Sequence, residues 1–134
     1  HVHEADRSGN ATIRGASIAD EDLARAAKHV IITCERIVET DFFRNDPHIA
    51  KIPYFCVDAV CEVPFGSYPG NMPFEYFSDE EHLKEWLAAE KGPETLQKFL
   101  DHNIFSCKDF NEYLEKNGGL EKMEQLRKKE FLND

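Results

Sequence analysis

The sequence predicts an α/β fold that gives way to helices in its C-terminal part. Three observations predict it. The helix-like run SIADEDLARAAKHV leads straight into the β-branched run VIITC, and a helix followed by a buried strand is a unit from which α/β sheets are built. A second strand-like run, YFCVDAVCEVP, follows after a stretch punctuated by prolines. From residue 78 onward, apolar residues recur at helical spacing.

The 134 residues suit one domain of ordinary size. Hydrophobic residues make up 41% and aromatics 11%, enough for a packed core. The formal charge is −10, which excludes a nucleic-acid binder of the usual basic kind. The only basic run is Arg127 with Lys128–Lys129. An acidic surface also repels anionic membranes, and no apolar run approaches the about 20 residues of a spanning helix. No charged segment followed by an apolar one opens the chain, so no signal peptide is read. Residues 1–77 read as the α/β part and residues 78–134 as a helical extension of the same domain.

The elements follow in order. HVHEAD and NATIRG flank Ser8, Gly9 and Asn10, turn residues that accept positive φ, so the segment reads as a hairpin. Val2 stands at the very start, so the first strand reads as one that begins before the chain does. In the first helix, Asp20, Glu21 and Asp22 suit the positive end of the dipole. Leu23, Ala26 and Ala27 share a face expected to be buried. VIITC is a buried strand by its β-branching. ETDFFRNDPHIAKIP reads as irregular because Asp46–Pro47 and Pro53 break regular structure. In the next strand, Val57, Ala59, Cys61 and Val63 alternate with Asp58, Val60 and Glu62.

PFGSYPGNMPFEYF is a loop with three prolines and two glycines. Backbone-shaping residues combined with exposed apolar groups suit contact with a ligand or another chain, against the plainer reading of a loop packed on its own core. Ser78 with Glu81 fits a capping box, followed by a stripe of Leu83, Trp86 and Leu87. Gly92–Pro93 breaks this helix and starts the next, which carries Leu96, Phe99 and Leu100. Ser106 caps KDFNEYLEKNGG, with Phe110, Tyr113 and Leu114 on one face and Gly118 as a left-handed stop. LEKMEQLRKKEFL is a last amphipathic helix.

Several residues invite chemistry. His1 and His3 alternate onto one strand face with Asp6 two residues further along that face, a candidate metal set. The competing reading is a strand leading into a turn. Glu4, Glu35 and Glu62 are possible nucleophiles or bases if a pocket perturbs them, and otherwise acids at strand ends or flanking helices. Cys34, Cys56, Cys61 and Cys107 form no C-x-x-C pair. The first three lie in apolar runs and read as buried free thiols of a cytoplasmic protein. No serine elbow, P-loop or dinucleotide fingerprint is present.

Four segments in order, HVHEADRSGNATIRG, ADEDLARAAKHVIITCERIV, RNDPHIAKIP and CVDAVCEVPFGSYPG, resemble the C-terminal part of the A subunit of the family I CoA-transferases, the glutaconate CoA-transferase type. The shared points include Ala5–Asp6, Gly9–Asn10, Asp22, Ala26–Ala27–Lys28, Glu35, Asp46–Pro47, Ile52–Pro53, Val57–Asp58–Ala59–Val60 and Pro64 with Gly66. DEEHLKEWL and DFNEYLEKNGG fit more loosely.

The resemblance implies part of an open three-layer α/β/α domain with a helical tail. It implies an enzyme that moves coenzyme A between an acyl-CoA and a short mono- or dicarboxylic acid, working with a B subunit in a hetero-oligomer. The reaction is ping-pong through a glutamate that attacks the acyl-CoA. That glutamate belongs to the B subunit, so none of Glu4, Glu35 or Glu62 takes its role. The A subunit supplies a Gly-rich loop near its own N-terminus that has no counterpart in this sequence, so the resemblance implies a portion of a longer polypeptide, inactive alone. No resident cofactor is implied, and the coenzyme A thioester is a substrate. Where family members commonly carry Gly-Ala-His-Pro, this chain has Gly66-Ser67-Tyr68-Pro69. These four are the candidate substrate-binding residues, and a hydroxyl of Ser67 or Tyr68 can bond a substrate carboxylate; the equal alternative is that this loop packs on the B subunit. Two alternatives remain: an acyl-CoA decarboxylase or hydrolase on the same scaffold, and a non-catalytic assembly domain. The resemblance also leads to the expectation that the 134-residue chain self-associates or needs the rest of the A subunit, because a sheet edge and an apolar face stay uncovered.

Overall fold

The first strand, β1 (Val2–Asp6), is buried along its whole length. It pairs antiparallel with the two-residue β2 (Ala11–Thr12) and parallel with β3 (Ile31–Val38), and β3 pairs parallel with β4 (Ala59–Glu62). The sheet order is therefore β2-β1-β3-β4. This computed structural model describes residues 1–131. Helix α1 (Asp20–Ala26) links β1–β2 to β3. The described chain forms two compact units, His1–Ser67 and the part from Tyr68 onward.

The hairpin turn is built by Asp6. Its Oδ1 accepts the backbone N–H groups of Ser8, Gly9 and Asn10, each at 2.9 Å, and its Oδ2 accepts the Asn10 amide at 2.9 Å. Gly9 takes φ +106°, a left-handed conformation that glycine adopts without strain. A carboxylate with this many donors is spent on the turn, which is why Asp6 does not join a metal set with His1 and His3. Beyond the turn, Ala11 and Ile52 exchange backbone hydrogen bonds at 2.8 and 3.1 Å, which widens the sheet past β2. The core of this unit is Val2, Ala5, Ala11, Ala24, Val30, Ile32, Cys34 and Ile52.

The structure corrects several expectations. In α1 the buried residue is Ala24, while Leu23 stays 66% exposed and Ala26 and Ala27 are exposed too. The apolar stripe is real, but it exceeds what the sheet covers. The proline-rich stretch is less irregular than its sequence suggests. Thr40 opens α2 (Asp41–Asn45), and Pro47 starts a short 3-10 turn whose cap is Asp46. The strand expected over YFCVDAVCEVP shrinks to β4, because Tyr54–Cys56 closes a 3-10 turn first. β4 lies at the sheet edge, so Cys61 is exposed, and Cys56, in the 3-10 turn before it, is only half-buried; of the three thiols expected to be buried, Cys34 alone is.

The second unit is helical, as the resemblance implies: α3 (Glu80–Ala89), α4 (Pro93–Leu100), α5 (Phe110–Lys116) and α6 (Gly119–Glu130), with a wide π-type turn at Asp101–Phe105. Its start at Tyr68 lies ahead of the 77/78 division that the sequence suggests. The reason is that residues 68–77 pack on the helices. Tyr68, Met72 and Tyr76 are buried, the Phe77 N–H donates to the Leu126 carbonyl at 3.0 Å, and the Phe74 N–H donates to Glu130 at 2.8 Å.

The caps also differ by a residue or more. Asp79, not Ser78, caps α3, and Asp109, not Ser106, caps α5; each carboxylate accepts the N–H three residues on. Asp competes well with Ser at this position. The Ser106 hydroxyl instead donates back to the His102 carbonyl at 2.6 Å. α3 turns His82 and Ala89 inward, leaving Trp86 and Leu87 exposed. Pro93 opens α4 after Gly92, and Gly118 takes φ +102°, both as the sequence predicts. The expected end of the last helix, at Leu132, lies outside the described residues.

Candidate functional site

The four residues singled out from sequence divide between the two units. Gly66 and Ser67 end the first, Tyr68 and Pro69 begin the second.

In the first unit the approach to the loop is held by β3. The Val63 N–H donates to the Cys34 carbonyl at 2.8 Å, and the Gly66 N–H closes a turn onto the Val63 carbonyl at 3.0 Å. Inside that turn Phe65 takes φ +62°, a left-handed conformation that costs a residue with a Cβ roughly 1–2 kcal/mol. Its N–H donates to Oε2 of Glu35 at 2.8 Å. The other carboxylate oxygen of Glu35 meets Nε2 of His1 at 2.7 Å, and Nδ1 of His1 meets the Thr33 hydroxyl at 2.8 Å. The same imidazole lies against Gly66, where a Cβ would sit 2.7 Å from Nδ1 and 2.9 Å from the Val63 carbonyl oxygen.

Glu4 is engaged elsewhere. Its Oε1 accepts Arg14 at 2.9 Å and Arg36 at 2.6 Å, while its Oε2 is buried and has no hydrogen-bond partner among the described residues. Glu62 is exposed and accepts the Ile37 N–H at 2.8 Å. Glu4 and Glu35 are therefore not acids at strand ends. They are buried carboxylates within strands, held by cations in one case and by an imidazole and an amide in the other, as buried charge requires. His3 is fully buried, and its Nδ1 accepts the Arg14 N–H at 3.0 Å. Among the described residues, no three His, Cys, Asp or Glu side chains converge as a metal set.

In the second unit the Tyr68 hydroxyl donates to Oδ2 of Asp79 at 2.9 Å, and the Tyr68–Pro69 bond is cis. Asp79 also meets Nζ of Lys122 at 3.3 Å. Burial alone would raise the Asp79 carboxyl, but the Tyr68 hydroxyl, the His82 N–H and Lys122 outweigh it and hold its pKa below the ordinary value. Burial and the Asp79 bond push the Tyr68 hydroxyl up. Burial lowers His82, against the pull of Asp79 and Glu85. Its Nε2 lies 3.2 Å from the Tyr113 hydroxyl, which burial raises to about 12.

Tyr68, His82, Trp86, Phe99 and Tyr113 wall a cavity of about 650 Å³. No lysine or arginine is among its lining residues, so its chemistry suits apolar or aromatic surface rather than a carboxylate. Sequence reasoning missed both the Glu35–Phe65 bond and the Asp79 hub. A buried Glu within VIITCERIV was visible as a break in an apolar run, but the partner thirty residues away was not.

A mixed sheet followed by a helical region defines an α/β protein. No protein-family model matches the chain. It is 37% identical over 118 residues to the A subunit of glutaconate CoA-transferase of Acidaminococcus fermentans, covering 88% of this chain and 37% of that relative. It is 33% identical over 113 residues to the A subunit of 3-oxoadipate CoA-transferase of Pseudomonas knackmussii, covering 84% of this chain and 39% of the relative. An uncharacterized protein of Archaeoglobus fulgidus is 48% identical over all 134 residues, which are 30% of its length. The crystal structure of the Acidaminococcus fermentans glutaconate coenzyme A-transferase superposes with a TM-score of 0.89 at 36% identity, over 94% of this chain and 39% of that one. The chain belongs to the A-subunit family of CoA-transferases. It spans between 30% and 39% of the length of these relatives.

Proposed function

We propose that this chain is a stretch of a CoA-transferase A subunit that works with a B subunit. The complex exchanges coenzyme A between an acyl-CoA and a short mono- or dicarboxylic acid in the cytoplasm. The observation that carries the reading is the match to two CoA-transferase A subunits across more than four-fifths of the chain, together with the TM-score of 0.89.

In this reading the nucleophile is a glutamate of the B subunit. Its carboxylate attacks the thioester carbonyl, forming a mixed anhydride and releasing the coenzyme A thiolate. The thiolate then attacks the glutamyl carbonyl, giving an enzyme thioester and the free acid. The second acid reverses both steps. The geometry supports placing that glutamate elsewhere, because the Glu4 and Glu35 carboxylates are tied to arginines, an imidazole and a backbone amide. Gly66–Pro69 is the substrate-facing loop of this reading. Its Tyr68 hydroxyl serves Asp79, so Tyr68 contributes its ring and position, and the backbone path at Gly66–Ser67 sets the approach of substrate.

The test is to co-express the complete A subunit with its B subunit and assay exchange between acetyl-CoA and short mono- and dicarboxylic acids. Expected are parallel double-reciprocal plots and a mass increase on the B polypeptide equal to one coenzyme A thioester. Acyl-CoA-dependent loss of carbon dioxide or of free coenzyme A, without exchange, overturns the transferase in favour of the decarboxylase or hydrolase. Pairing of the two polypeptides with no turnover of any acyl-CoA leaves assembly as the role.

A further inference from the structure

We propose that Glu35 is a positioning residue for the substrate-facing loop, fixing the backbone from which Gly66–Pro69 departs. The inference rests on the functional reading of that loop. Its own footing is the geometry around a single buried carboxylate.

Glu35 is buried in the middle of β3, and both of its oxygens are used. Neither bond belongs to the sheet ladder. Oε2 takes the N–H of Phe65, a residue in left-handed backbone. Oε1 takes Nε2 of His1, and because a carboxylate only accepts, that nitrogen carries the proton. The imidazole is pinned at its other end by Thr33, two residues before Glu35 on β3. Thus pinned, the ring occupies the space where a side chain at Gly66 would lie. One carboxylate therefore governs the loop's departure twice, directly at Phe65 and through His1 at Gly66. An apolar residue at position 35 would take the carboxylate away from the Phe65 amide and leave the imidazole with Thr33 as its hold on β3. The signal in the sequence is a lone acid inside an apolar strand, and its use is to set a backbone thirty residues away.

The test uses the complete A subunit in complex with its B partner. Glu35→Asp keeps the charge but is one methylene too short to hold both partners. Amide exchange across residues 64–67 is expected to quicken about tenfold. The KM for the acid is expected to rise about tenfold, with kcat changed by less than about threefold. Glu35→Gln keeps an oxygen for the Phe65 amide but turns an NH2 donor toward the Nε2 proton of His1, so it is expected to restore most of the exchange protection and only part of the KM. Gly66→Ala perturbs the same point from the loop side and serves if Glu35→Asp does not fold; it is expected to raise the same KM. Where both fold, the double variant is expected to raise KM less than the product of the two singles. Faster exchange with an unmoved KM makes Glu35 a stability residue only and overturns the proposal, as does unchanged exchange or an unmoved KM in Gly66→Ala. A wild-type complex without any transfer sinks the functional reading and this assignment with it, whereas an active wild type with unaltered variants sinks only the assignment.

Discussion

Cys34 and Cys61 lie on adjacent strands one residue out of register, Thr33 opposite Cys61 and Cys34 opposite Glu62, and they differ in burial, which governs thiol chemistry. Cys34 is fully buried, and burial followed by the nearby Glu62 charge pushes its thiol up to about 11. Cys61 is exposed on the edge strand. The thiolate is the reactive species, so iodoacetamide at pH 8 is expected to modify Cys61 rapidly and Cys34 only after unfolding, read by peptide mass spectrometry. Equal labelling of both would show that β3 is not interior. At this scale the sequence was legible in type but not in exposure. CVDAVCEV carries the same alternation whether its strand is central or at an edge, and only the neighbours decide which thiol meets solvent. The proposed substrate-facing loop shows the same limit. The backbone constraint of Gly66 and Pro69 is readable from their residue types alone. What the Tyr68 hydroxyl does is not, because the partner that takes it, Asp79, is specified by folding rather than by spacing.

At the scale of elements, Asp79 gathers the N-terminus of α3, the Tyr68 hydroxyl and Lys122 of α6 onto one carboxylate. Asp79→Ala removes a cap, worth about 1 kcal/mol, and leaves a buried hydroxyl unmet, worth about 1–3 kcal/mol. Urea unfolding is expected to show a loss of about 2–4 kcal/mol, against less than about 0.5 kcal/mol for Ser78→Ala. The reverse ranking would restore Ser78 as the cap. Two acid windows follow from the same corner. His82 has a folded pKa below its unfolded value, so stability is complete above about pH 6.5 and declines as pH falls and the unfolded chain takes the proton first. Asp79 is also depressed, so its contribution is complete above about pH 4 and is lost as pH falls through its folded pKa. Thermal melts from pH 7.5 to 5 are expected to drop in the wild type and flatten in His82→Gln. The helices themselves were legible, because Pro93, Gly118 and the apolar periodicity mark them. Their orientation was less so. Periodicity identifies an apolar stripe but not how much of it a neighbour covers, which is why Leu23 and Leu87, expected to face inward, lie outward, while Trp86 is only partly covered, against Phe99.

For the whole molecule, those outward residues set a balance between two forces. In the first unit Leu23 and Ile31 line one groove, and Ile31 is 70% exposed. In the second, Phe105 and Leu120 are exposed to a similar degree. Apolar surface of this kind drives association at roughly 25 cal/mol per Å² removed from water. The net charge of −10 opposes it by mutual repulsion, which salt screens within about 8–10 Å. The relatives carry the matched stretch within polypeptides more than twice as long, so these faces have further chain to meet there. The 134-residue chain alone is therefore expected to exceed its monomer mass of 15.4 kDa in light scattering. Association is expected to strengthen with added salt and as pH falls toward the pI of about 5.0. Replacing Leu23 and Ile31 by glutamate adds charge and removes apolar area at one stroke, and should shift the distribution toward monomer without lowering the melting temperature, since neither side chain belongs to the buried core. A wild-type chain that stays at 15.4 kDa from low to high salt, with a single sharp melt, would show that the exposed apolar residues are too scattered to act as a surface.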